Sequence, residues 1–142
     1  MNDKTDKYRP PSNLELQILS LLWERGPLTA REVLESLPDG KARAYTSVLS
    51  VMQVMERKKY LRKKREGMAH RWSPVLKQRT TLERVVSEMV TKVFNGSPAA
   101  VMQCLMDSPV MDAKEIEAIR RLTDEAAAGR RAEESKNPRK DA

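Results

Sequence analysis

Residues Arg43–Lys59 read RAYTSVLSVMQVMERKK, and the fold turns on how this stretch is read. Val48, Met52 and Met55 recur at i, i+4 and i+7, with Val51 beside them, which is the spacing of one buried helix face. Thr46, Ser50, Gln53 and Arg57 recur at i, i+4, i+7 and i+11 on a second face. That second stripe carries hydroxyls, an amide and one cation, where a merely solvated face carries long charged side chains. Flanked by Arg43 at one end and by Arg57, Lys58 and Lys59 at the other, it suits close approach to base edges and phosphates. Taken alone, the stretch also fits an amphipathic helix whose polar face is simply small, because periodicity speaks to fold rather than to function.

The segments on either side narrow the choice. Ser12 and Glu15 have capping-box spacing and open a helix containing Leu14, Leu16, Ile18, Leu19, Leu21, Leu22 and Trp23, which Gly26–Pro27 ends. Thr29 and Glu32 repeat the device and open a short helix with Val33, Leu34 and Leu37 inward. Pro38–Asp39–Gly40 is a turn into the decisive stretch. Beyond it, Tyr60–Arg65 and Ala69–Pro74 read as two short strands around Glu66–Gly67–Met68. Three helices joined by short turns and followed by a cationic hairpin make a winged helix-turn-helix, whose third helix can enter a major groove while the wing follows phosphates or a neighbouring minor groove.

Charge supports the same reading. Between Lys41 and Arg79 there are twelve basic residues against two acids, Glu56 and Glu66. That segment alone is +10 in a chain of net +7, so the remainder is −3. A local charge of this size favours a polyanion as partner. A membrane surface would need a basic amphipathic helix with aromatic anchors, which is not present. No apolar run is long enough to span a bilayer, and MNDKTDKYRPPS lacks the apolar core of a signal peptide, so a cytoplasmic protein is expected. The lone Cys104 excludes an internal disulfide and, among Val101, Met102, Leu105 and Met106, reads as a buried small hydrophobe. Cys104 and the single histidine, His70, form no metal-ligand cluster, and no glycine-rich phosphate loop occurs. No enzyme, metal or cofactor is therefore expected.

From Val75 the composition changes. Thr81–Phe94 reads as a long helix with Leu82, Val85, Val86, Met89, Val90, Val93 and Phe94 apolar. Ser97 caps and Pro98 starts a short helix, Ala99–Met106, that carries Leu105. Asp112 and Glu115 cap a last helix with Ile116, Ile119 and Leu122 on one side. Three such helices cannot bury themselves alone, and the same segment of a second chain is the expected cover, with Met89, Met102, Met106 and Met111 as adaptable filler. The tail AAGRRAEESKNPRKDA lacks apolar periodicity and is expected to be disordered.

Taken in order, several of these pieces resemble the penicillinase-repressor family of winged-helix regulators. They are Leu14–Leu19 through Leu22–Trp23, Ala44–Leu49, Met55–Lys58 before Tyr60–Leu61, and Phe94–Ser97. The resemblance runs from about Asn13 to Glu125. It implies a homodimeric repressor on an inverted-repeat operator of resistance genes, with Arg43, Tyr45, Thr46, Ser47 and Ser50 on the recognition helix and Lys63–Arg71 on the wing. Some members of the family are released from DNA by cleavage at an Asn–Phe bond, and others by a metal bound to a cysteine-rich tail. This chain has neither an Asn–Phe pair nor paired cysteines, so neither route is expected and any upstream sensor or protease remains unidentified.

These readings combine into a mainly α protein. It has a flexible arm (residues 1–11), a winged-helix DNA-binding domain with a small β hairpin (12–75), an all-α three-helix dimerisation domain (76–126) and a disordered tail (127–142). The expected DNA contacts are Arg43, Tyr45, Thr46, Ser47, Ser50, Gln53, Arg57, Lys63, Lys64, Arg65 and Arg71. The expected dimer contacts are Leu82, Val85, Val86, Met89, Val93, Leu105, Ile116 and Ile119. The function they imply is a homodimeric repressor on a palindromic operator of resistance or stress genes. The alternative is a protein-binding adaptor whose basic segment holds nucleic acid without sequence preference.

Overall fold

A computed structural model describes residues 9–136. Most of the expected arm and the last six residues of the expected tail lie outside the described residues. The elements follow in the order α1 (Asn13–Arg25), α2 (Ala30–Ser36), α3 (Tyr45–Arg57), β1 (Leu61–Glu66), β2 (Ala69–Pro74), α4 (Gln78–Val93), α5 (Pro98–Met106) and α6 (Ala113–Lys136). Two compact units divide at Val93 and Phe94, so α4 groups with the winged helix rather than with the helices after it. The reason lies at its first turns. Thr81 is buried, Leu82 lines a hollow with Leu16 and Trp23 of α1, and the Trp23 indole N–H donates to the Leu76 carbonyl at 2.9 Å.

Both capping boxes form. Glu15 N–H donates to Ser12 Oγ at 3.1 Å and Ser12 N–H to the Glu15 carboxylate at 2.9 Å. Thr29 and Glu32 repeat the arrangement at 3.1 and 2.9 Å. Each box satisfies two amides that a helix start leaves open. The core of this unit is Ile18, Leu19 and Leu22 of α1, Val33 of α2, Val48, Met52 and Met55 of α3, and Leu61 and Trp72 from the hairpin. The helical stripe read from the sequence is thus the buried face of α3. Pro11 is buried as well, and Tyr60 Oη lies 3.5 Å from the Arg9 carbonyl, so the end of the expected arm packs on the domain.

The passage from α3 to the hairpin is a Schellman turn. Lys59 N–H donates to Glu56 O at 2.9 Å and Tyr60 N–H to Met55 O at 2.8 Å, with Lys59 at φ 67 in the left-handed region that usually calls for glycine. β1 and β2 are antiparallel, with Leu61 opposite Pro74 and Glu66 opposite Ala69. Leu28 adds a one-residue third strand through two bonds with Trp72, of 3.1 and 2.8 Å. Gly67 at φ 64 opens a two-residue turn, and Met68, with negative φ, completes a type II′ hairpin.

In the second unit, Ser97 Oγ caps α5 by accepting from Ala100 N–H at 3.1 Å, and Asp112 caps α6 by accepting from Glu115 N–H at 2.9 Å. Neither helix has a buried residue. Two expectations are corrected here. Cys104 is exposed rather than buried, because its apolar neighbours lie around the helix and no described residue of the unit covers that turn. Residues 127–136 are helical, as the end of α6. Their Ala, Arg, Glu and Lys are strong helix formers and need no apolar stripe to continue a solvated helix.

Trp72→Ala is expected to cost about 3–5 kcal/mol of stability, and Ser12→Ala about 1 kcal/mol. Urea unfolding of the full chain measures both. A Trp72→Ala variant within about 1 kcal/mol of wild type would remove the indole from its place at the centre of the core.

Candidate nucleic-acid interface

The second stripe of α3 faces outward. Thr46, Ser47, Ser50, Gln53 and Arg57 are all exposed. Ala44 sits at the N-cap and offers no side-chain bond to the first amides. The helix therefore presents open N–H groups and the positive end of its dipole beside Thr46 and Ser47, an arrangement that favours anions. Tyr45 is at the first helical position, and the Arg31 guanidinium of α2 lies 4.8 Å from its ring centre.

α2, α3 and the hairpin surround a cleft of about 320 Å³. Tyr45 and Gln53 line it from α3, Arg31 from α2 and Thr29 from that helix's N-cap, and Lys63, Met68 and His70 from the hairpin. The fold thus sets Tyr45 and Gln53 of α3 beside Lys63 and His70 of the hairpin. Arg31 has no place in the sequence reading. A signal for it existed: the first turn of a helix favours acids, and a cation there is electrostatically misplaced unless it serves something else.

The cations divide by their partners. Arg43 is bound bidentately to Asp39 at 2.7 and 2.8 Å. Asp39 also accepts from Lys41 N–H at 3.1 Å and from the Gln17 amide at 3.3 Å. These bonds, led by the one from Arg43, hold the Asp39 carboxyl well below its ordinary range. Arg71 pairs with Glu66 and, at 3.3 Å, with Glu32. The Glu32 carboxyl is held below its usual value, first by the Thr29 backbone amide, then by the Thr29 hydroxyl and by Arg71. Lys63 lies 3.5 Å from Glu56 and 5.3 Å from the Trp72 ring centre. Lys58 is committed to the buried Glu15 at 2.9 Å and so ties α3 to the start of α1. Arg65 donates to the Gly67 carbonyl at 3.2 Å. Arg62 and Lys64 are exposed and make no ion pair among the described residues. Of the wing cations read from the sequence, Lys64 is thus the most available, whereas Arg43 and Arg71 must exchange a carboxylate for any phosphate.

The residues expected at a dimer contact keep open apolar surface. Leu82, Val86, Met89 and Val93 of α4 are exposed and Val85 is half-buried. In the second unit Leu105 and Ile116 are exposed and Ile119 is half-buried.

A cationic ribbon beside a helix with a polar outer face defines a winged-helix regulator that acts on DNA. The penicillinase repressor family model matches residues 11–125. The chain is 30% identical over 119 residues to the transcriptional regulator BlaI of Mycobacterium tuberculosis, in the CDC 1551 / Oshkosh and ATCC 25618 / H37Rv strains alike, covering 82% of this chain and 85% of the relative. A looser likeness links it to the crystal structure of the transcriptional regulator Tm0710 from Thermotoga maritima, at 16% identity and a TM-score of 0.44, covering 86% of this chain and 78% of that one. The chain belongs to the penicillinase repressor family, and as such is a DNA-binding transcriptional repressor.

Asp39 gives a test of the network that holds Arg43. A carboxyl with a depressed pKa adds stability that is complete above the ordinary Asp value of about 3.9 and is lost as pH falls through the folded-state value. The stability gap between wild type and Asp39→Asn is therefore expected to stay constant over roughly pH 6–8 and to shrink on acidification. A gap that widens in acid would show that the carboxylate is not held by its cation.

Proposed function

We propose that the protein acts as a homodimer on an inverted-repeat operator, repressing resistance or stress genes. One α3 from each protomer reads a half-site in the major groove, and the two half-sites lie about one turn of DNA, ~34 Å, apart. Thr46, Ser47, Ser50 and Gln53 meet base edges, with Tyr45 and Arg57 at the margins of the contact. Lys63, Lys64 and Arg65 follow the phosphates, and Arg43 and Arg71 join them on release from their carboxylates. The observation that carries this reading is the cleft at which Tyr45 and Gln53 of α3 face Lys63 and His70 of the hairpin. Support for two copies comes from the apolar surface that α4, α5 and α6 leave open, which costs free energy in water unless covered. The same surface could serve the adaptor reading, and sedimentation separates the two: a stable monomer favours the adaptor.

Replacing Lys63, Lys64 and Arg65 together by Ala is expected to weaken binding to every duplex. It should also flatten the log–log salt slope by about 0.9 for each phosphate contact removed. Thr46→Ala or Ser50→Ala should instead change base preference at single positions. Anisotropy titrations on palindromic and scrambled duplexes read both effects, and a triple variant that binds like wild type would dismiss the wing from the contact. Val86→Glu or Met89→Glu is expected to shift sedimentation to the monomer and lower operator affinity with it.

A further inference from the structure

The tip of the hairpin carries a side chain that the cationic ribbon does not explain. Met68 is 99% exposed, more than any other large apolar side chain among the described residues. It is not buried by any described residue, although it lies among the residues that line the cleft. The second position of a type II′ turn sets no demand for an apolar group, and a small polar residue would serve the turn as well.

The turn is also tied by local contacts. Gly67 supplies the positive φ, the Arg65 guanidinium donates to the Gly67 carbonyl at 3.2 Å, and Glu66 and Arg71 pair across the strands just behind the turn. At the other end of the ribbon Trp72 is locked in the core. Behind Met68 along the ribbon come the cross-strand pairs Arg65–His70 and Lys64–Arg71, and the carboxylate of Glu66 beside the turn is paired with Arg71. An unbranched apolar side chain at the end of a positively charged ribbon held by these contacts has the form of a wedge. Apolar side chains delivered to a minor groove by cationic flanks slip between base pairs, unstack one step and bend the duplex. Met is thin and flexible enough for that entry.

We infer that Met68 is a minor-groove wedge: on the operator it inserts at the base step under the wing tip and kinks the DNA there. This rests on the repressor reading above, with α3 in the major groove. Pyrimidine–purine steps unstack most easily, so Met68 confers a preference for such a step outside the bases that α3 reads.

The test uses the full-length protein and a duplex that it selects from a random pool. 2-Aminopurine replaces one adenine in turn at each step flanking the α3 half-site, and donor and acceptor dyes at the duplex ends report bending. Wild type is expected to raise 2-aminopurine emission at one flanking step per half-site and to shorten the end-to-end distance. Met68→Ala should lose both signals and about tenfold in affinity with an unchanged salt slope. Met68→Leu should retain both signals. Lys64→Ala should keep the 2-aminopurine signal while its salt slope falls by about 0.9. A Met68→Ala protein that unstacks and bends the duplex like wild type overturns the wedge and leaves the repressor reading standing. If the pool yields no enriched duplex, the repressor reading falls and the wedge with it. If wild type, but not Met68→Ala, binds phosphatidylglycerol vesicles and the duplex signals are identical for the two, the tip belongs to a membrane contact and the wedge is again overturned.

Discussion

The indole of Trp72 fastens the hairpin to the three helices. A two-stranded ribbon is marginal in water by itself and needs a third partner to be stable. Here the backbone of Trp72 bonds Leu28 in both directions, and its ring is 2% exposed beside Leu61 in the common core. The same residue opposes Lys63 in the sheet, and the Lys63 ammonium lies over the ring, 5.3 Å from its centre. Burial on one side and charge on the other therefore come from a single cross-strand pair. Without it the cations of the ribbon would have no defined position relative to α3.

The electrostatics of this unit show restraint. A chain segment of charge +10 would bind polyanions indiscriminately if every cation were free. Several are not. Arg43 is held by Asp39, Arg71 by Glu66 and Glu32, and Lys58 by Glu15. Each pair lowers the field that a random phosphate backbone meets. The better-matched contacts of a true site would have to outbid those carboxylates. On the proposed operator, discrimination would then arise partly from what the free protein already satisfies within itself.

Much of this was legible in the sequence, and the reason is local. Ser12 with Glu15 and Thr29 with Glu32 announce helix starts through side chains three residues apart. The Val48, Met52 and Met55 stripe needs only helical periodicity. The hairpin turn follows from Gly67 between two β-rich runs. What escaped depends on loop geometry, on distance in sequence or on solvation. Asp39 and Arg43 are only four residues apart, but they lie in the loop between α2 and α3, where no helical spacing announces the pair, and the place of Arg31 over Tyr45 requires two helices to be docked. Cys104 is exposed because apolar neighbours along a helix do not guarantee a partner opposite it. Residues 127–136 are helical because a helix can persist on propensity without any face to bury.

The link between α3 and β1 carries a further consequence. The Schellman turn at Lys59 fixes how many residues separate the last helical carbonyl from Leu61. In a strand, successive side chains point to opposite sides. Losing or gaining one residue at this junction would turn Leu61 out to water and bring Arg62 and Lys64 over the apolar interior. Length change there is tolerable only in steps of two, so homologous chains should vary in the reach of the ribbon at its Gly67 end and stay constant in spacing at its Lys59 end.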